Sequence, residues 1–274
     1  MANWNHTTLS YDNQSTRHEV VMVANSSGVI YDKIPVSIDS MPASGGSDLE
    51  YKLKIAQGQV AGYTPVFVHG FKPSFTNGIE NSFWGGETIY PWSAWTAAGT
   101  LSIVSSQNDT GDVTIYGLDS NYDQITETKT ITGTSPVTTT NSFIRINKIT
   151  YSDGSVNSGN ISFSRGGTVV GYITAQAGAS QMAQYTIPAG YTGYVINGTA
   201  NIGKGNDGLG YFKYRLFEQT FQHAFTFLIY QGSFNYEFGV PLVIPEKTDL
   251  DVVMTASNSG TAASCAYGIL LVAN

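Results

Sequence analysis

The chain has 274 residues, a formal net charge of −7 and only 12% charged residues, about half the share of an average soluble domain. Its 13 Lys and Arg are scattered, which excludes a binder that works by neutralising phosphates. No apolar run approaches the ~20 residues of a membrane-spanning helix, and a single cysteine, Cys265, excludes an internal disulfide framework.

Thr, Val, Tyr and Phe are plentiful where Leu, Lys and Glu are scarce, which favours pleated strands over helices. The opening Met-Ala-Asn-Trp-Asn-His run has neither the basic nor the apolar region of an export signal. A protein made in a reducing cytoplasm is the expectation. Residues 1–58 offer short apolar runs at 20–23 and 29–38, broken by Asn25-Ser26-Ser27-Gly28, Met41-Pro42 and Ser44-Gly45-Gly46-Ser47. Too few large apolar residues remain there to offset the entropy of ordering the chain. The segment is predicted to be an extended arm or linker lying on a neighbour.

Residues 59–165 carry hairpin signals. Strands are predicted at 111–118, 124–132 and 143–152, with Asp119-Ser120-Asn121-Tyr122 as a turn. In 124–132, Ile125 and Ile131 share one face and Thr126, Thr128 and Thr130 the other, the period of a half-buried strand. Ser158-Gly159 then introduces Ile161 and Phe163. Residues 166–274 supply a second set of strands at 168–174, 181–187, 193–200, 211–220, 221–234, 249–256 and 266–272. Short strands spaced near ten residues, with Gly, Asn and Asp between them, predict an all-β fold. Two β-sandwich domains are expected, 59–165 and a jelly-roll-like 166–274, preceded by the arm at 1–58.

The motifs that could carry chemistry are incomplete. Gly198 to Gly203-Lys204 has the glycine spacing of a phosphate loop, but Gly205 stands where Ser or Thr would hold Mg²⁺, and no helix is signalled after it. Asp119-x-Asn121-x-Asp123 matches the first ligands of a calcium loop. Gln124 and Thr130 replace its glycine and final glutamate, so a side-chain-stabilised turn is the better account. No Gly-x-Ser-x-Gly elbow exists. His6 and His18 fall in the arm and His69 in the 65–75 segment. His223 shares a predicted strand face with Phe221, Phe225 and Phe227, as a core or interface histidine would. Glu218 and Glu237 sit among aromatics, but nothing marks them as a glycosidase pair. Cys265, in the apolar run 262–272, is expected to be a buried, inert thiol. Catalytic residues, metal ligands and cofactors are therefore expected to be none.

Aromatic clustering is the one excess. Phe83, Trp84, Tyr90, Trp92 and Trp95 crowd one segment, and a second group runs from Tyr211 to Phe234. Most would fill sandwich cores. Tyr211, Tyr214, Tyr230, Trp92 and Trp95 are the candidates for subunit interfaces, where rigid amphipathic rings are favoured. A sugar-stacking platform is the further alternative.

The run Gly117-Leu-Asp-Ser-Asn-Tyr-Asp-Gln-Ile-Thr-Glu-Thr, the stretch from Val137 through Arg145-Ile-Asn, Gln181-Met-Ala-Gln-Tyr-Thr-Ile-Pro-Ala-Gly-Tyr and Ile244-Pro-Glu-Lys-Thr-Asp-Leu resemble virion structural proteins of marine tailed bacteriophages, cyanophages among them. The resemblance spans roughly residues 60–274 and brings no catalytic residue with it. It implies a virion component, foremost a capsid decoration or cement protein that binds the major capsid protein or other virion subunits. A tail or head-fibre protein that recognises surface glycan is the alternative. A homotrimer is expected, since a low-charge, aromatic surface on a soluble chain calls for a partner, with neither nucleic acid nor membrane bound.

Overall fold

Alternation of buried and exposed side chains marks many of the described strands. The structure is a computed structural model and describes residues 48–274. The expected strands at 20–23 and 29–38, and most of the expected arm, lie outside the described residues. The end of the arm is a correction: Asp48–Ala56 is an α-helix, α1, where an extended segment was expected. Lys54 stands in its last turn, as the helix dipole favours. Gly58, at φ 70°, ends it with the paired bonds of a Schellman cap. The Gln59 amide donates to the Lys54 carbonyl and the Gly58 amide to that of Ile55, each at 2.9 Å.

Residues 52–274 form one compact unit of antiparallel strands. In chain order these are β1 (Tyr63–Lys72), β2 (Asn81–Ser82), β3 (Ser102–Ser105), β4 (Asp112–Leu118), β5 (Gln124–Thr130) and β6 (Val137–Thr138). There follow β7 (Arg145–Ser152), β8 (Ile161–Arg165), β9 (Thr168–Ile173), β10 (Tyr185–Thr186) and β11 (Tyr191–Ile202). The last are β12 (Asp207–Arg215), β13 (Gln222–Tyr230), β14 (Ser233–Ile244), β15 (Asp249–Ala256) and β16 (Ala263–Ala273).

Two cores organise them. One sheet, in the order β1-β16-β11-β14, shares a core with a second, β10-β15-β12-β13, beside which β2 pairs with β15. Val68, Val195, Cys265 and Ile269 from the first sheet meet Phe212, Leu250 and Val252 from the second. Burial of each such side chain stabilises the fold by about 1.5–3 kcal/mol. This is the outer sandwich. Between β1 and β10 the chain builds an inserted sandwich, in which β6-β3-β8-β9 and β5-β4-β7 enclose Leu101, Ile103, Ile115, Phe163 and Val170.

The predicted division at 165 therefore differs from the strand pairing. β1 lies in the 59–165 segment yet pairs along its full length with β16, from Tyr63 with Val272 to Lys72 with Ala263. β9 lies beyond 165 yet pairs with β8. Short-range pattern reports that a strand exists but not its partner, and the β1–β16 pairing spans most of the chain. The two stems of the insertion run side by side. The Phe71 amide donates to the Gln181 carbonyl at 3.2 Å, and a Cβ on Gly70 would lie 2.6 Å from the Ala183 Cβ and 2.7 Å from the Phe83 carbonyl. Only glycine fits that approach.

A further difference concerns the predicted strand 221–234, which is two strands. β13 and β14 meet at Gln231-Gly232, where Gln231 takes φ 50°. Residues 181–187 yield a strand only at β10, while 249–256 matches β15.

Candidate functional site

Two regions bring functional groups together: the seam between the sandwiches and the outermost strands β13 and β14 of the outer one. At the seam, β15 begins Asp249-Leu250-Asp251, with both carboxylates almost fully buried. Arg145, at the start of β7, reaches across from the inserted sandwich. Its Nε donates to Asp249 Oδ1 at 2.7 Å and its Nη2 to Oδ2 at 3.0 Å. Arg215, the last residue of β12, donates to Oδ2 through Nε and Nη2 at 2.9 and 2.6 Å, and the Thr186 hydroxyl donates to Oδ1 at 2.6 Å. One carboxylate thus holds two guanidinium groups. Burial works against the charge on Arg145, but the hydrogen bonds and charge of Asp249 outweigh it and hold its pKa above the ordinary value.

Asp251 is different. It accepts from Trp92 Nε1 at 2.9 Å, Gln184 Nε2 at 2.6 Å and Ser82 Oγ at 3.2 Å, none of them charged. Burial is the larger influence and pushes its carboxyl up to about 6, although the three hydrogen bonds pull it down.

The candidate interface aromatics divide. Trp95 is a correction: it is 4% exposed, sits in the inserted core, and donates its Nε1–H to the Tyr90 hydroxyl at 2.9 Å. It offers no surface. Trp92 is half-buried at the seam, edge-on to Tyr90 at 4.8 Å, with the Arg215 guanidinium 5.3 Å from its ring centre. Tyr214 packs its ring against the outer core while its hydroxyl donates to Gln222 Oε1 at 2.9 Å. Tyr211 points to the other face of β12 and stacks on His223, with ring centres 4.3 Å apart. That corrects the expected placement of His223 beside Phe225 and Phe227. Phe212 pairs with Phe225 but Lys213 with His223, so a bulge at Ala224 turns His223 outward. Tyr230 is 73% exposed at the end of β13.

Around Tyr230 lies the surface that the sequence did not single out. β13 and β14 are the outermost strands of their sheets. The outer face pairs Leu209 with Leu228 across β12 and β13, both exposed. β14 pairs Glu237 with Asn197 and Leu242 with Val195, so residues 238–241 bulge away opposite Ile196. Val240 lies in that bulge, 83% exposed. The inner faces of the two strands close one end of the core with Phe225, Phe227, Phe234, Tyr236 and Phe238 in mutual ring contact.

The remaining motifs lie on strands, turns and connections. Gly198 to Gly203 lies in β11 and its turn into β12, a strand. Asp119 Oδ1 accepts the amides of Asn121 and Asp123 at 2.8 and 3.0 Å, as a turn-forming side chain does. Among the described residues, no group of three or more His, Cys, Asp or Glu could hold a metal ion. Glu218 and Glu237 are both exposed, the first on the β12–β13 connection and the second on β14. Cys265 is buried, and burial pushes its thiol well above the usual value. No described helix is long and apolar enough to cross a membrane.

No protein-family model matches the chain, and no curated protein matches it. Among solved structures, that of infectious bursal disease virus Gt strain is similar at 12% identity, over 77% of this chain and 72% of the other, with a TM-score of 0.19. The Gx strain structure gives 13% identity, 76% and 71% coverage, and a TM-score of 0.21. At those scores the likeness carries no argument about function.

Proposed function

We propose that this chain is a non-enzymatic structural component of a virion, a capsid decoration or cement subunit that adheres to other virion proteins through the β13–β14 side of its outer sandwich. The observation that carries this reading is the pair of outermost strands. β13, Gln-His-Ala-Phe-Thr-Phe-Leu-Ile-Tyr, has no Lys, Glu, Asp or Pro, the residues with which soluble proteins blunt an edge. β14 has Glu237 and Pro241 alone of these, and Leu228, Tyr230, Val240 and Val243 are exposed along the two strands. Such an edge suits lateral contact with another protein surface. The strand order supports reading the outer sandwich as a jelly roll: β1-β16-β11-β14 faces β10-β15-β12-β13, and from β10 to β16 the chain crosses between the two sheets at every step except that from β12 to β13. That architecture is shared by viral capsid and lectin domains. The sequence resemblance to tailed-phage virion proteins points the same way, and a homotrimer would cover part of the edge.

The test is binding of purified protein to particles stripped of their outer proteins. Saturable attachment that Leu228→Lys abolishes is expected. Attachment unchanged by Leu228→Lys and by Val240→Lys would overturn the assignment of the edge. Failure to bind any particle, together with turnover of a polysaccharide, would overturn the structural role. Sedimentation as a stable monomer at micromolar concentration would remove the trimer.

A further inference from the structure

A cleft opens at the seam, with a volume of about 450 Å³, between the 95–98 segment, the β4–β5 turn, the β12–β13 connection and the turn before β15. Its charge is unlike that of the chain as a whole. Arg145, Arg215 and Lys247 line it against Asp249 and Glu218, in a protein of net charge −7. Asp249 is engaged between the two arginines, and Glu218 is exposed.

Two cationic groups keep donors without protein acceptors. Arg215 uses Nε and Nη2 on Asp249, and among the described residues its Nη1 has no hydrogen bond. Lys247 is half-buried, with no ion pair among the described residues. Its ammonium lies 5.4 Å from the Phe217 ring centre and 5.9 Å from that of Tyr122. Phe217 itself is 45% exposed. The backbone adds an independent mark. Of the five non-glycine residues at positive φ among those described, Tyr122 (71°), Glu218 (59°) and Lys247 (58°) all line this cleft. Left-handed backbone at non-glycine residues is costly, and it concentrates where a surface must be held in a set shape.

We propose that this cleft binds a carboxylate-bearing sugar residue, such as a uronic acid, with the carboxylate at Lys247 and the free Nη1 of Arg215 and the ring face against Phe217. The chemistry divides in the same way. Cations with open donors take an oxyanion, and an exposed aromatic ring beside them takes the apolar face of a sugar. The volume admits a ligand of one to two sugar rings. The site is separate from the β13–β14 edge, so it stands or falls independently of the attachment role.

The test is titration of the full chain with a uronic-acid disaccharide, its methyl ester and inorganic phosphate, followed by calorimetry or ligand-observed NMR. Lys247→Asn is the informative variant, because asparagine tolerates the left-handed backbone and the Lys247 side chain makes no hydrogen bond to lose. Its unchanged melting curve is the control. Saturable binding of the acid is expected, weakened roughly tenfold or more in the ester, in Lys247→Asn and in Phe217→Ala, and weakened by added salt. No binding of the acid at about 10 mM, or equal binding of acid and ester, would overturn the proposal. Equal binding of phosphate with no effect of Phe217→Ala would also overturn it, since the site would then hold a bare anion.

Discussion

Removing the carboxylate of Asp249 would leave two guanidinium groups at a buried seam with no counter-charge between them. Asp249→Asn is therefore expected to lower stability by about 3–5 kcal/mol, the cost of breaking a buried ion pair from one side, read from urea unfolding at neutral pH. Asp251 yields a prediction of opposite character. Its folded pKa, about 6, lies above the ordinary carboxyl value of 3.8, so the native state holds the proton more tightly than the unfolded chain. Its contribution is present below about pH 4 and is lost as pH rises towards 6, by about 3 kcal/mol at most. Asp109 acts in the reverse sense. Burial would raise its pKa, but bonds from Ser105 and the amides of Ser158 and Gly159 outweigh that and hold it low, so its contribution is lost as pH falls. The difference in stability between wild type and Asp251→Asn across pH 4–6.5 isolates the first effect. The asparagine Nδ2 can donate to Gln184 Oε1, a buried atom without a partner, once that amide turns over. The variant is expected to fold and to lose the decline with rising pH; an unaltered decline would show that another group causes it. None of this seam was legible in the sequence. Arg145 and Asp249 are 104 residues apart, and a carboxylate at the head of an apolar strand looks like a solvated strand end until its partner is known.

Individual strands were far more legible than their partners. The Thr faces of β5 and the apolar faces of β7 and β8 follow the period of two because each strand has one face on a core. β15 is buried on both faces, and its alternation is accordingly weak, yet its bounding turns fix it. The break between β13 and β14 escaped notice because the connection holds one glycine preceded by Gln231 rather than Asn or Asp, the usual turn residues. Helix α1 has only nine residues, with one buried apolar side chain, Ile55, among those described, too little for a helical period to register. Two substitutions test the strand scale. Leu228→Lys should alter stability by no more than about 0.5 kcal/mol, as exposed replacements do, so its effect on particle attachment can be read without unfolding. Gly70→Ala should cost about 1–3 kcal/mol or more, since the atoms its Cβ meets are backbone and Ala183 and cannot rotate away. A melting temperature equal to wild type would mean that the two stems of the insertion are looser than their hydrogen bond suggests.

The two cores are joined through side chains as well as through the chain, and that coupling sets how the molecule responds as a whole. Arg145 belongs to the inserted sandwich and Asp249 to the outer one, so the seam should make unfolding of the pair cooperative. Tryptophan fluorescence, reporting on Trp84 and Trp95 in the inserted core, and far-ultraviolet circular dichroism are expected to give one superimposable urea transition. In Asp249→Asn the two curves should separate; coincident curves in the variant would show that the cores are coupled by packing alone. The insertion also has a consequence for synthesis. β3 to β9 find all their sheet partners among themselves, whereas Lys72 at the end of β1 waits for Ala263, roughly 190 residues later. At about 5–20 residues per second, that is a delay on the order of 10–40 s. The inserted sandwich can close while β1, its backbone donors and acceptors unmatched, is held near the ribosome. The last long strand to be made is thus the one that seals the first.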